Sequence, residues 1–336
     1  MVTLLCQSPA SCPDIATLKI SPSPLTPSHE MQSEKSFSPT SPSPSKETPQ
    51  TIDQVAKPII FNNASATPPL EYAKNLYRQG WSYQVKHLFE DAAKLFQLSA
   101  DQGYLQAQVT IGYCFEQGNG VEKNPEKAFH YYKLAADAGL GIAQYNIGNC
   151  FLRGIGTAQD GYKAMGYLRA AANQGLVQAQ YNLAFCLENK TRVKRSDSKD
   201  CIEAIELYKQ AADKGFAPAQ HRLACCYIEG WIVKTDLKEG IRLLTLAAKA
   251  GHLMAQYALA DCYRIGVGIG QDFKEAFFWL EKAALKGLEE AQYELGRYYQ
   301  LGIGTPQNLF EAIIWYGCAA SQGHSQAKAK LKELSD

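Results

Sequence analysis

The sequence predicts an all-α fold, an α/α solenoid of helix-turn-helix repeats behind a disordered tail, on three observations. The segment AQYNIGNCFLRGIG at 143–156 returns as AQYELGRYYQLGIG at 291–304. The alanine that opens it recurs at Ala107, Ala143, Ala179, Ala219, Ala255, Ala291 and Ala327, always 36 residues apart except for one interval of 40. A fixed period of this size marks stacked supersecondary units that each bury an apolar face on a neighbour. Finally, twelve of the fifteen prolines fall in residues 1–69, which separates a tail from the repeats.

In the tail, runs such as SPSPLTPS and SFSPTSPSPSKETPQ remove backbone donors and offer few apolar side chains to offset chain entropy, so disorder is expected for 1–69. Nine Ser-Pro or Thr-Pro pairs occur there. Ser21, Ser23, Thr26, Ser38, Ser41, Ser43 and Thr48 are candidate sites for proline-directed kinases; the alternative is a solvated spacer in which such pairs arise by chance.

The solenoid is expected over 70–336. A degenerate repeat spans 71–106, complete repeats span 107–142, 143–178, 179–218, 219–254, 255–290 and 291–326, and 327–336 starts another copy as a C-terminal cap. Each repeat encodes two helices. In the first, apolar or small residues stand at the opening Ala, four later (Ile111, Ile147, Leu183, Leu223, Leu259, Leu295), five later (Gly112, Gly148, Ala184, Ala224, Ala260, Gly296) and eight later, which is helical periodicity. Gly-x-Gly then stops the helix in four repeats. Asn124, Asp160, Asp200, Asp236, Asp272 and Asn308 follow as N-caps of the second helix, whose bulky core residue is expected at Tyr131, Tyr167, Leu207, Leu243, Trp279 and Trp315. The third repeat loses its Gly-x-Gly and reads ENKTRVKRSDSK, which predicts a longer basic loop at 190–199.

Composition narrows the functions. With 34 basic against 33 acidic residues and a net charge of +1, nothing draws the chain to nucleic acid. No apolar run reaches the roughly 20 residues that cross a bilayer, and MVTLLCQSPASC lacks the basic flank of a secretory signal, so a cytoplasmic location is expected. Of ten cysteines, Cys114, Cys150, Cys186, Cys226 and Cys262 recur once per repeat, as small buried side chains would, and no zinc spacing is present. The six histidines are scattered, the Gly-x-Gly loops follow helices and not strands, and no nucleophile stands beside a base. The expectation is therefore a non-enzymatic protein, without cofactor, metal or small-molecule substrate.

The pattern in AQYELGRYYQLGIGTPQNLFEAIIWYGCAASQG resembles the Sel-one-like repeat family, relatives of tetratricopeptide repeats with a longer loop. The resemblance implies a right-handed superhelix that serves as an interaction scaffold, with first helices lining its concave face. On that alignment the positions two and six after the opening Ala would face a protein partner: Tyr113, Tyr145, Asn149, Tyr181, Phe185, His221, Tyr257, Asp261, Tyr293 and Arg297. Tyrosine joins a rigid apolar body to a polar tip, which suits such contacts. The same rings would equally serve as packing between neighbouring first helices. The ending GIGTPQNLFEAIIWYGCAASQGHSQAKAKLKEL is also similar to fungal chitin-synthase regulators, which implies recruitment to a membrane enzyme complex as an alternative role. A third possibility, hydrolysis of β-lactams, is implied only by an activity once credited to bacterial relatives.

Overall fold

The computed structural model describes residues 70–194, 198–230 and 233–335. The expected tail and its Ser-Pro and Thr-Pro sites lie outside the described residues. Among the described residues every regular element is an α-helix: α1 (Leu70–Val85), α2 (Phe89–Asp101), α3 (Leu105–Gln117), α4 (Pro125–Asp137), α5 (Gly141–Arg153), α6 (Gly161–Asn173), α7 (Val177–Lys194), α8 (Ser198–Asp213), α9 (Ala217–Glu229), α10 (Leu237–Lys249), α11 (Leu253–Ile265), α12 (Phe273–Leu285), α13 (Glu289–Leu301), α14 (Leu309–Gln322) and α15 (Ser325–Ser335). They form two compact units that divide between Leu176 and Val177. Within each unit every helix packs on the next, the sequential pairing of an α-solenoid.

Local chemistry sets the helix ends. Asn124 accepts the Lys127 amide at 2.8 Å and Asp236 that of Glu239 at 3.0 Å. Asp272 and Asn308 each accept two amides of the helix they precede, Lys274 with Glu275 and Phe310 with Glu311. Asp160 does the same for Lys163 and Tyr162, and the Lys163 amide is the chief cause that holds its carboxyl below the usual range. Asp200 departs from the expected cap. It lies inside the first turn of α8 and pairs with Lys190 at 2.6 Å, because α8 starts two residues earlier. The expected basic loop at 190–199 is likewise shortened: α7 continues through Lys194. Gly118, Gly154, Gly230, Gly266 and Gly302 end the other complete first helices in the left-handed region, and α7 has no such glycine to stop it.

Each first helix meets its second helix over the small residue. A Cβ on Gly112 would lie 2.8 Å from the Tyr132 ring, and one on Gly296 would lie 2.8 Å from that of Tyr316. The deepest side chains of the second helices are thus Tyr132, Leu168, Tyr208, Leu244, Leu280 and Tyr316, one position beyond those expected. Where this residue is tyrosine, the first helix supplies an acceptor for its hydroxyl: Glu116 at 3.0 Å, Glu188 at 2.7 Å and Gln300 at 2.7 Å. Beside Leu168 and Leu244 the matching positions hold Leu152 and Ile228. A buried hydroxyl needs a partner, and the first helix supplies one at each tyrosine, whereas beside Leu280 the matching position holds Arg264, which pairs with Asp261.

The displaced register separates the two tryptophans. Trp279 is 8% exposed, but Trp315 is only half-buried, since among the described residues no further second helix follows α14. Trp279→Ala should therefore cost about 3–5 kcal/mol, as large-to-small changes in a core do, and Trp315→Ala distinctly less. Denaturant unfolding of the two variants checks this; equal losses would contradict the packing described.

Candidate functional site

Of the residues expected to face a partner, the N-terminal unit contributes Tyr113, Tyr145 and Asn149. Tyr113 and Asn149 are half-buried, while Tyr145 is fully buried. In the C-terminal unit Tyr181 is also fully buried, with its ring 5.6 Å from that of Phe216 and 5.8 Å from that of Tyr208. His221 is buried against His252, with centroids 4.9 Å apart, and its Nε2 lies 3.6 Å from the Cys225 sulfur. Tyr293 stacks on His324 at 4.4 Å. Phe216, His252 and His324 each immediately precede a first helix, so rings two residues after the opening Ala pack on the entry to the next repeat. Full burial leaves Tyr145 and Tyr181 no surface to share with a partner.

Partly exposed groups gather on α11 and α13 instead. Tyr257, Asp261, Tyr293 and Arg297 are all half-buried there. Asp261 pairs with Arg264 at 2.6 Å, and Glu294 receives two hydrogen bonds from Arg297, each of 2.9 Å. Both arginine side chains keep 43% of their surface. Burial raises the Tyr257 phenol above its ordinary value, and the carboxylates of Asp261, Glu294 and Glu290 add to this. Tyr298, buried nearby, is pushed up to about 12, chiefly by burial. These phenols stay neutral donors at pH 7, framed by two compensated ion pairs. Such a face can stack on apolar side chains and hydrogen-bond a peptide without a strong net charge. Phe185, half-buried on α7, carries the Arg222 guanidinium 5.6 Å from its ring.

Two polar systems were missed from sequence. Gln108, Gln144, Gln220, Gln256 and Gln292 directly follow the opening Ala, and each donates to the carbonyl eight residues earlier, at 3.1–3.4 Å. Each of these carbonyls also accepts the amide of the glycine three residues on, so the glutamine adds a second bond at the end of the preceding second helix and stitches repeats together. The recurrent Ala-Gln pair was the available signal. The second system is a buried group of charges: Glu188, with no exposed side-chain surface, pairs with Arg222 from the next repeat and accepts the Tyr208 hydroxyl. Burial works against the charge on Arg222, but Glu188 together with Tyr208, Cys225 and Tyr181 outweighs it, so the guanidinium holds its proton more tightly than an ordinary one.

The remaining features are structural. A Cβ on Gly156 would stand 2.1 Å from the Pro125 carbonyl oxygen, and one on Gly304 would stand 2.1 Å from that of Phe273, so these loops lie directly on a preceding second helix. Among the described residues no group of three or more His, Cys, Asp or Glu could hold a metal ion, and no helix is long and apolar enough to cross a membrane. Burial pushes the Cys114, Cys186 and Cys262 thiols up to about 12, which leaves little thiolate at pH 7.

The Sel1 repeat model matches the chain seven times, at 70–104, 105–140, 141–176, 177–216, 217–252, 253–288 and 289–324. Among solved structures the chain is similar to c5321, a protective antigen of uropathogenic Escherichia coli with an SLR fold, at 27% identity and a TM-score of 0.64. That match covers 78% of this chain but only 56% of the E. coli protein. It is also similar to a Sel1 repeat protein from Oxalobacter formigenes, at 29% identity and a TM-score of 0.64, over 73% of this chain and 96% of the other. No match was found among curated proteins.

Proposed function

The chain belongs to the Sel1 repeat family, whose solenoids are generally protein-interaction scaffolds, and on that premise we propose that it is a non-enzymatic adaptor that holds a protein partner against the first-helix face of α11 and α13. One observation supports this placement most. Tyr257, Tyr293, Asp261 and Arg297 stand partly exposed there, whereas Tyr181 and His221, which hold the tyrosine position of the two preceding repeats, are buried in the fold. The rings supply rigid apolar area, and the Asp261–Arg264 and Glu294–Arg297 pairs supply donors and acceptors that fix register.

The Tyr257→Ala/Tyr293→Ala double variant tests the proposal. Partner affinity should fall by about 1–2 kcal/mol per ring, or more at a hot spot. Tyr293 also stacks on His324, so some stability should be lost with it. The Asp261→Ala/Arg297→Ala variant removes groups outside the core and should weaken binding with the melting temperature nearly unchanged. A loss of stability in the first variant with full affinity in both would overturn the placement.

A further inference from the structure

The first repeat buries two leucines on a side where no earlier helix stands among the described residues. Gly80 is its small residue, with a Cβ position 2.6 Å from the Phe96 ring, as Gly112 is against Tyr132. Leu76 precedes Gly80 by four residues, as Gln108 precedes Gly112, so it holds the place of the glutamines that donate back to the preceding second helix. Leu95 precedes Phe96 as Tyr131 precedes Tyr132, and the Tyr131 hydroxyl likewise reaches back, to Asp101 at 3.2 Å. Leu76 is 2% exposed and Leu95 1%, so both are covered as their counterparts are. Among the described residues neither belongs to the core that Ala73, Tyr77, Ala92 and Phe96 build with the next repeat. Leucine at the glutamine position also shows what kind of cover this is. It offers no donor to a helix-end carbonyl and asks only for apolar side chains.

We propose that the cover is a segment of this chain, Ile59-Ile60-Phe61, which caps the N-terminal unit in place of a preceding second helix. Its composition and its position in the chain select it. Ile59, Ile60 and Phe61 form the only run of three aliphatic or aromatic side chains in 1–69. Between Pro49 and Pro68 the twelve prolines of the tail contribute only Pro58, so nearly all backbone donors are retained there. Leu70 opens α1, and the eight residues 62–69 lead into it, a linker with a root-mean-square span of roughly 15 Å. Leu76 lies about 9 Å along the same helix, within that span. Asn62, Asn63 and the Pro68-Pro69 pair supply turn-forming residues for the return. Tethered in this way, the segment acts at an effective concentration in the millimolar range, which a second copy of the chain at micromolar concentration does not match. A terminal repeat needs such a cap because no neighbour covers its apolar side. At the other end α15 provides one, with Ala327 fully buried against Tyr316 and Ala319. The partner surface on α11 and α13 plays no part here, and either proposal can fail without the other.

Hydrogen exchange of the full chain, followed by mass spectrometry, is the test. Ile60→Ser/Phe61→Ser should speed exchange of the α1 and α2 amides at least tenfold and leave α12 to α14 unchanged. Leu4→Ser/Leu5→Ser, which alters another apolar pair of the tail, should leave α1 and α2 at the parent rate. Leu76→Gln installs the residue of the later repeats and should loosen α1 and α2 by itself. Combined with Ile60→Ser/Phe61→Ser it should add little further, because both break the same contact. Parent rates in the Ile60→Ser/Phe61→Ser variant would overturn the proposal. So would effects that simply multiply when the two sets are combined, or protection of α1 that weakens on dilution from 100 to 1 μM, which would mean that a second copy supplies the cover.

Discussion

Arg222→Ala should lower the unfolding free energy of the C-terminal unit by about 3–5 kcal/mol, the range found when one member of a buried ion pair is removed. The change takes the counter-ion from Glu188, whose side chain has no exposed surface and accepts the Tyr208 hydroxyl at 2.7 Å. The charge is the problem, not the cavity. The double change Glu188→Gln/Arg222→Met should therefore recover most of the loss, since a neutral amide can still accept the hydroxyl, as Gln300 does for Tyr316 at 2.7 Å. Denaturant unfolding, with hydrogen exchange on α7 to α9, measures both. A single variant within about 1 kcal/mol of the parent would show that the pair is dispensable.

Gly304→Ala should cost about 2–5 kcal/mol, combining left-handed strain with overpacking. Its φ is +66°, and the added Cβ would meet the Phe273 carbonyl oxygen at 2.1 Å. Gly287 isolates the first component: its φ is +90°, but nothing lies within 4 Å of the Cβ position. Gly287→Ala should cost only the backbone strain, about 1–2 kcal/mol. Equal losses at the two positions would mean that the loop yields and does not fix one repeat against the next.

Most of the fold was legible because its signals recur in register. Alanines 36 or 40 residues apart, the small residue five later and the Asn or Asp caps each report a local requirement of a helix or its end. The second-helix core was misread by one residue. Trp279 and Trp315 stand out by size, yet positions one residue apart share a broad side of a helix, and the docking over Gly or Ala chooses Tyr132, Leu168 and their equivalents. The pairing of Glu116, Glu188 and Gln300 with tyrosines was present in the letters, but 16 or 20 residues separate the partners and only the hairpin joins them. The candidate face was less legible still. Tyr181 and Tyr257 occupy the same repeat position, and burial alone distinguishes them.

The most direct measurement places a photo-crosslinking amino acid at single positions of the full chain in its source cell: at Tyr257 or Arg297 on the first-helix face, at Phe278 or Phe310 on the outer face of α12 and α14, and at Lys163 of the N-terminal unit as a control. Adducts are then identified by mass spectrometry. The expected result is one protein partner, other than this chain, captured from Tyr257 and Arg297 and not from Lys163. Capture of that partner only from the outer face or the control position would contradict the central claim that the first-helix face of α11 and α13 holds it.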